Sequence, residues 1–257
     1  PRTRRMDASP PEPDRPRAPA RAPAPDRAPV RAVVKPVHFG PPKNRAEARR
    51  LRRNERAHRL WGGVIRSPWR RLHAWADMLL ADHGVFRLIH LNLHPVGAAR
   101  PPRAWRAAQP TPRQIRRLAR RHGLQSVITL RGGVMFGAWP LEREVCAAEG
   151  LTLHRCVLRS RGLPSRERLA EAVDLLRRVE TPVLFHCKSG ADRAGLMAAL
   201  WLIAGVGRPA AEAAGQLSLR YGHLPVGPTG VLDALLAEIA AAEARGLPFD
   251  RWLAEAY

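Results

Sequence analysis

A cysteine and an arginine separated by five residues form the strongest chemical signal in the sequence. Cys187 begins the segment Cys-Lys-Ser-Gly-Ala-Asp-Arg, and Arg193 ends it. A thiolate is a strong nucleophile, and a planar guanidinium can hold two oxygens of one phosphoryl group. Gly190 allows a tight backbone turn between the two residues. The spacing therefore predicts a nucleophilic cysteine that lies beneath a bound phosphate.

The flanking residues predict a strand before this segment and a helix after it. Val183, Leu184 and Phe185 form an apolar run without alternation, which is typical of a buried parallel strand. From Ala194 onward, apolar residues recur with helical spacing. A loop that enters a helix N-terminus points backbone N–H groups at an anion, and the helix dipole favours negative charge there. We therefore expect an anion cradle whose field also stabilises the thiolate of Cys187.

The run from His186 to Arg193 resembles the HCx5R signature of cysteine-dependent protein tyrosine and dual-specificity phosphatases. Over about residues 105–221 the chain also resembles the compact bacterial dual-specificity-like branch of these phosphatases. The further motifs that carry this resemblance are Trp105-Arg106, Gln109-Pro110 and Thr129-Leu130-Arg131-Gly132. It implies a two-step reaction through a phosphocysteine at Cys187, with phosphate held by the loop amides and Arg193. It also implies that His186 supports the loop by hydrogen bonding, and it implies no metal and no other cofactor.

Five further residues are candidate substrate ligands. Lys188, Ser189, Gly190 and Ala191 lie inside the loop, and Arg131 follows a predicted strand, where ligands bind in open parallel sheets. Phosphoinositide-type phosphatases are similar in having a lysine at the position of Lys188, which would favour a substrate with several negative charges. The alternative is that Lys188 points to solvent.

Two positions depart from the pattern of this family. Its members usually have Ser or Thr after the loop arginine, where the hydroxyl assists hydrolysis of the intermediate, whereas Ala194 stands here. Residues 158–164, which correspond to the loop of the usual general-acid aspartate, contain no carboxylate. Asp192 is our first candidate for the acid, because myotubularin-type lipid phosphatases resemble the chain in having an aspartate there. Glu142 and Glu144 are second choices, although a solvated helix face is their more ordinary role.

Strands and helices alternate in the part of the chain that contains these residues. We expect strands over residues 127–130, 151–157 and 183–185, and helices over 112–121, 140–149, 165–178, 209–219, 232–244 and 249–254. This alternation predicts an α/β fold with a central, mostly parallel sheet flanked by helices, which is the three-layer arrangement that the resemblance also implies.

Composition divides the chain into three parts. Residues 1–46 contain 12 of the 25 prolines and no apolar periodicity, which predicts a disordered tail rich in Pro, Arg and Ala. We expect a basic helical extension over residues 47–95 and the phosphatase-like domain over residues 96–257. Three cysteines without a disulfide pattern, and no apolar run long enough to span a bilayer, favour the cytoplasm.

The net charge of +22 predicts attraction to polyanions such as phosphoinositide head groups, anionic membrane or nucleic acid. The basic run over residues 45–58 either binds such a partner or forms a solvated helix face. A helical stripe follows it, formed by Trp61, Trp69, Leu72, Trp75, Met78 and Leu79. Such a stripe is typical of a helix on a membrane surface or of a helix that packs on the domain, and we favour the second.

Three functions remain open. The first is hydrolysis of phosphotyrosine or phosphothreonine in proteins. The second is the same chemistry on phosphoinositides or other small polyanions, which Lys188 and Asp192 suggest. The third is a phosphate-binding protein with little turnover, which Ala194 and the missing loop aspartate suggest.

Overall fold

The computed structural model describes residues 44–131 and 136–257. Its strands are β1 (His94–Val96), β2 (Ala104–Ala107), β3 (Ser126–Thr129), β4 (Thr152–Arg155) and β5 (Val183–His186). Its helices are α1 (Arg45–Trp61), α2 (Pro68–Ala76), α3 (Gly84–Ile89), α4 (Pro112–His122), α5 (Ala138–Ala148), α6 (Arg166–Arg178), α7 (Asp192–Leu200), α8 (Ala210–Ala213), α9 (Val231–Ala244) and α10 (Phe249–Arg251). Wider helical turns extend α2 over Asp77–Ala81, α7 over Trp201–Gly205 and α10 over Trp252–Ala256. Residues 1–43 of the predicted tail, and Gly132, lie outside the described residues.

One five-stranded sheet organises the domain, with the strand order β1-β2-β5-β3-β4. β1 is antiparallel to β2, and the other neighbouring strands are parallel. In the central strand β5, His186 pairs with Ala107 of β2 on one side and with Thr129 of β3 on the other. The carboxyl ends of these three strands therefore meet at one edge of the sheet. The predicted α/β fold with a mostly parallel sheet is confirmed.

Capping residues explain where two of the predicted helices begin. The side chain of Thr111 accepts a hydrogen bond from the backbone N–H of Gln114 and Pro112 occupies the first turn, so α4 starts as the sequence predicts. Gly123 ends this helix in the left-handed conformation. Ser165 caps α6 in the same way, by accepting from the N–H of Arg168.

Two features of the fold differ from the sequence prediction. The expected helix over residues 209–219 is wrong, because the α-helical segment there is α8 alone, and short 3₁₀ turns follow at Ala214–Gln216 and Leu219–Tyr221. β1 and β2 were not predicted, since strands of three and four residues are too short to show a periodic pattern.

Apolar side chains pack on both faces of the sheet. Val127 and Leu184 face the cluster formed with α4 and α5, whereas Ile128 and Phe185 face the larger cluster formed with α6, α7 and α9. Neighbouring residues of a strand point to opposite faces, so this division follows directly from the two apolar runs. The central strand is consequently buried on both sides, and its carboxyl end is held rigidly.

The N-terminal helices pack on α5. Trp61 of α1 and Ala74 and Met78 of the extended α2 are buried in one apolar cluster with Trp139. This is the packing that we favoured for the helical stripe, although Trp69 and Leu72 of the same stripe remain exposed. None of the helices in the described part of the chain combines the length and the apolar character that crossing a bilayer requires.

Candidate active site

The predicted cradle forms the turn between β5 and α7. Cys187 directly follows β5 and is almost completely buried, and the backbone N–H of Gly190 donates a hydrogen bond to its Sγ at 3.2 Å. Gly190 has φ +78°, and a Cβ there would lie 2.6 Å from the backbone nitrogen of Ala108. Only glycine fits this position without displacing the neighbouring backbone.

Backbone carbonyls of the turn point away from its interior. Four consecutive carbonyl oxygens, those of residues 188–191, each accept a hydrogen bond from a group outside the turn. The N–H of Gln109 binds the first at 3.3 Å, and Nδ2 of Asn92 binds the second at 3.1 Å. Because carbonyl and N–H groups of a tight turn point in opposite directions, this arrangement directs the N–H groups inward. The interior of the turn is therefore suited to an anion.

Arg106 holds the last two of these carbonyls. Its Nη2 donates to the oxygens of Gly190 and Ala191, both at 2.8 Å, and its Nη1 donates to the Gln216 carbonyl at 2.5 Å. Its guanidinium carbon lies 4.0 Å from the centre of the Tyr221 ring. Burial lowers the pKa of Arg106 to about 10. No role was predicted for Arg106, although a charged residue between apolar residues of β2 is the signal for one.

Arg193 reaches from the first turn of α7 to the carboxyl end of β3, which is paired with β5. Its Nη1 donates to the carbonyl of Leu130 at 3.3 Å, directly after β3. The N–H of Leu130 in turn donates to the carbonyl of His186, the residue before Cys187, at 2.9 Å. The guanidinium, the thiol and the N-terminus of α7 thus meet at the carboxyl edge of the sheet. Together they can bind a phosphoryl group and present a sulfur nucleophile to it.

Asp192 is hydrogen-bonded to a buried histidine. Its Oδ1 lies 2.8 Å from Nδ1 of His223, and Nε2 of His223 lies 2.8 Å from Oδ2 of Asp233 in α9. Both hydrogen bonds form only when these three side chains carry two protons, as an imidazolium or as a neutral ring beside a protonated carboxyl group. This bridge could not be predicted from local sequence, because His223 is 31 residues from Asp192.

The two glutamates considered as alternative acids have different surroundings. Glu142 is buried, its Oε1 is hydrogen-bonded to Nε2 of His186, and its Oε2 accepts from Gln109 at 3.3 Å. The expected solvated face is therefore wrong for Glu142, because this side of α5 packs on the sheet. Glu144 lies at the surface and forms an ion pair with Arg71 at 2.6 Å. His186 is thus anchored by a carboxyl group, in keeping with a supporting role.

An unpredicted carboxylate, Asp82, lies between the basic side chains beside the cradle. Both of its oxygens accept from the guanidinium of Arg131, at 2.6 and 2.8 Å, and Oδ2 also accepts from Arg87 at 2.9 Å. Nζ of Lys188 is 3.6 Å from Oδ1. Burial opposes ionisation of Asp82, but Arg131 and then Arg87 outweigh it and hold the pKa of the carboxyl below its usual value. Arg131 is thus engaged by an internal anion at the place where substrate contact was predicted.

Residues 96–207 match the family model described as "Polymorphic toxin system, DSP-PTPase phosphatase". The matched segment includes the whole turn from Cys187 to Arg193. Residues 96–207 are therefore similar to a phosphatase domain of the cysteine-dependent tyrosine and dual-specificity type, in agreement with the resemblance that the signature carries.

Individual proteins show more distant similarity. The search of curated proteins gave no match. Among solved structures, TpbA of P. aeruginosa matches 60% of this chain and 91% of its own, at 20% identity and a TM-score of 0.44. PTPMT1 matches 60% of this chain and 99% of its own, at 21% identity and a TM-score of 0.45. The catalytic domain of the PP-IP phosphatase SIW14 of S. cerevisiae matches 61% of this chain and 94% of its own, at 19% identity and a TM-score of 0.44.

Proposed function

We propose that the domain hydrolyses phosphomonoesters in proteins, at phosphotyrosine or phosphothreonine, through a phosphocysteine intermediate on Cys187. The observation that supports this most directly is the orientation of the turn. Its four outward carbonyls leave the N–H groups facing the cysteine, and the N–H of Gly190 already donates to Sγ at 3.2 Å. Such a ring of donors stabilises an anionic phosphoryl group more than any neutral ligand.

The reaction divides into two displacements at phosphorus. In the first, the non-bridging oxygens accept from the loop amides and from Arg193 while the thiolate of Cys187 attacks. The phosphorus–sulfur bond forms, the bond to the leaving oxygen breaks, and that oxygen takes a proton from Asp192. In the second, water attacks the phosphocysteine and gives one proton to the Asp192 carboxylate, which releases phosphate and restores the thiolate.

Asp192 is the proposed acid because its surroundings can supply the proton. The bridge to His223 and Asp233 holds two protons when both of its hydrogen bonds are formed. One can be carried by Asp192 when substrate arrives. Asp233 is about one third exposed, so the bridge ends at solvent and can be reprotonated from there. His223 is therefore proposed as a positioning residue for the acid.

Ala194 affects the rate of the second displacement, which is hydrolysis of the phosphocysteine. Its side chain is buried and offers no hydroxyl to the departing sulfur. We expect hydrolysis of the intermediate to be slower than its formation. A burst of product, one equivalent per enzyme, would then precede the steady state.

Replacement of the nucleophile tests the proposal. Wild-type protein should hydrolyse an aryl phosphate, and Cys187→Ser should reduce the rate by at least about 10³-fold, because a hydroxyl is not ionised at neutral pH. A stable phosphoryl adduct trapped from the wild type by acid quench, and absent from Cys187→Ser, would identify the intermediate. Equal and negligible rates for both proteins would instead indicate a phosphate-binding protein with little turnover.

Leaving groups of different basicity test the acid. Asp192→Asn should slow hydrolysis of an alkyl or phenyl phosphate by about 10²-fold or more, while an activated nitrophenyl ester should lose much less. An equal loss on both esters would exclude Asp192 as the proton donor, and Glu142→Gln can then be examined in the same way.

Phosphoinositides or other small polyanions are the second candidate substrates. Lys188 favours this alternative, because its side chain is 43% exposed at the turn and its ammonium group lies beside a cluster of arginines. Both carboxylate oxygens of Asp82 already engage Arg131, which is why we place phosphoproteins first. Initial rates on a phosphopeptide panel and on a phosphoinositide panel, compared for wild type and Lys188→Ala, distinguish the two classes.

A further inference from the structure

The helices before the sheet expose an unusual concentration of large apolar side chains. Nine of the fourteen such side chains that are exposed in the described part of the chain lie between residues 60 and 89. Single exposed apolar residues are ordinary, whereas a contiguous group at the surface indicates contact with a partner. We call the group on α2 and α3 the apolar platform, and it consists of Trp69, Leu72, Leu80, Val85, Phe86, Leu88 and Ile89.

The platform is distinct from the face that packs on the domain. The extended α2 has an inner stripe, in which Ala74 and Met78 are buried against α5. Its outer stripe contains Trp69, Leu72 and Leu80, which are 79%, 60% and 72% exposed. Their spacing over residues 69–80 keeps them on one side of the helix. Packing of α2 on the domain therefore accounts for the inner stripe and not for the outer stripe.

Charges around the platform favour an anionic partner. Arg66 and Arg70, on either side of Trp69 in the sequence, are exposed, and so is Arg59 in the last turn of α1. Residues 59–90 include two carboxylates: Asp82 is buried between arginines, and Asp77 is partly buried and accepts from the N–H of Gly137 at 2.7 Å. An apolar surface bordered by arginines, with no fully exposed carboxylate in this segment, has the composition of a surface that lies on anionic lipid.

The platform also lies beside the active site. Asp82, which binds Arg131 and lies 3.6 Å from the ammonium group of Lys188, is in the short connection between Leu80 and Val85. The segment that carries the platform therefore also contacts basic side chains beside the cradle. We propose that the platform docks the protein on the surface of an anionic phospholipid bilayer. Docking requires no catalysis, so the result of a membrane-binding experiment does not depend on whether the proposed function is correct.

Vesicle co-sedimentation of the full chain tests the proposal. Binding is expected to vesicles of phosphatidylcholine mixed with phosphatidylglycerol, and not to phosphatidylcholine alone. The double variant Trp69→Ala/Ile89→Ala should bind the mixed vesicles about tenfold more weakly or worse, since two large apolar contacts are lost. The matched control is Leu219→Ala/Val226→Ala, which removes two side chains of similar exposure elsewhere, 72% and 71%, and should bind like the wild type.

A second pair of variants separates local contact from overall charge. Arg66→Glu and Arg161→Glu change the net charge equally, and both arginines are exposed. Only Arg66→Glu should weaken binding strongly. Equal losses for the two, or unchanged binding of Trp69→Ala/Ile89→Ala, would overturn the proposal, because attraction would then come from the net charge or from residues 1–43.

Self-association is the competing use of the platform. If sedimentation velocity shows a dimer that Trp69→Ala/Ile89→Ala dissociates, the partner is a second copy and the proposal is wrong. Thermal melting of each variant shows whether it is folded, and Leu72→Gln/Leu80→Gln provides an independent replacement in the same stripe. Aryl phosphate hydrolysis should be unchanged in all platform variants, although the binding result does not depend on it.

Discussion

Gly190→Ala is the substitution that tests the geometry of the cradle most sharply. Two separate effects act on an alanine at this position. The backbone has φ +78°, which costs an L-residue about 1 kcal/mol. The added Cβ would also lie 2.6 Å from the nitrogen of Ala108 and 2.7 Å from the carbonyl carbon of Ala107, where backbone atoms cannot rotate away.

The second effect determines the expected size of the loss. Ordinary contact begins at 3.4 Å, so the turn and the end of β2 must separate by about 0.8 Å. This movement carries the N–H of residue 190 away from Sγ of Cys187. Misplacement of a reacting group by about 1 Å costs roughly 10²-fold in rate. We therefore expect kcat/KM for an aryl phosphate to fall by about 10²-fold.

Gly123→Ala is the matched control. Gly123 has φ +62°, and a Cβ there would have no neighbour within 4 Å. The Gly123→Ala variant should therefore be affected by backbone strain alone. We expect a small decrease in melting temperature and an unchanged kcat/KM. Melting curves and initial rates of both variants are compared under one set of conditions. The reasoning is refuted if Gly190→Ala retains nearly full activity, or if Gly123→Ala loses as much.

Two further predictions concern the carboxyl groups around the cradle. His223→Asn should slow phenyl phosphate hydrolysis by about tenfold or more while sparing a nitrophenyl ester, because the proton supply to Asp192 is cut; equal effects would indicate a purely structural histidine. The carboxyl of Asp82 has a pKa that is lowered on folding, so its contribution to stability is complete above about pH 4 and decreases as the pH falls through the folded-state value. Asp82→Asn should lower the free energy of unfolding at pH 7 by about 3 kcal/mol, because Arg131 and Arg87 lose their buried counter-charge. Denaturant titrations at several pH values should show that the difference between the variant and the wild type becomes smaller in acid.

Several features of the protein could be predicted from local sequence. One contiguous segment, residues 183–200, determines the cradle, because a strand, a tight turn with Gly190 and a helix N-terminus follow one another within it. The cap at Thr111 and the stop at Gly123 likewise depend on neighbours within one helical turn. Such features need no knowledge of the chain path, and the structure has them where the sequence predicted.

Other features required the tertiary structure. Arg106, Asn92 and His223 bind the cradle from 84, 97 and 31 residues away along the chain. Buried polar groups must find partners, but the sequence alone does not say which of many arginines and aspartates will be near. The same reason explains why Glu142, expected at a solvated face, lies against His186. The nucleophile and its loop therefore follow from adjacent residues, whereas the groups that orient the loop and neutralise Arg131 are set by how the helices pack around the sheet.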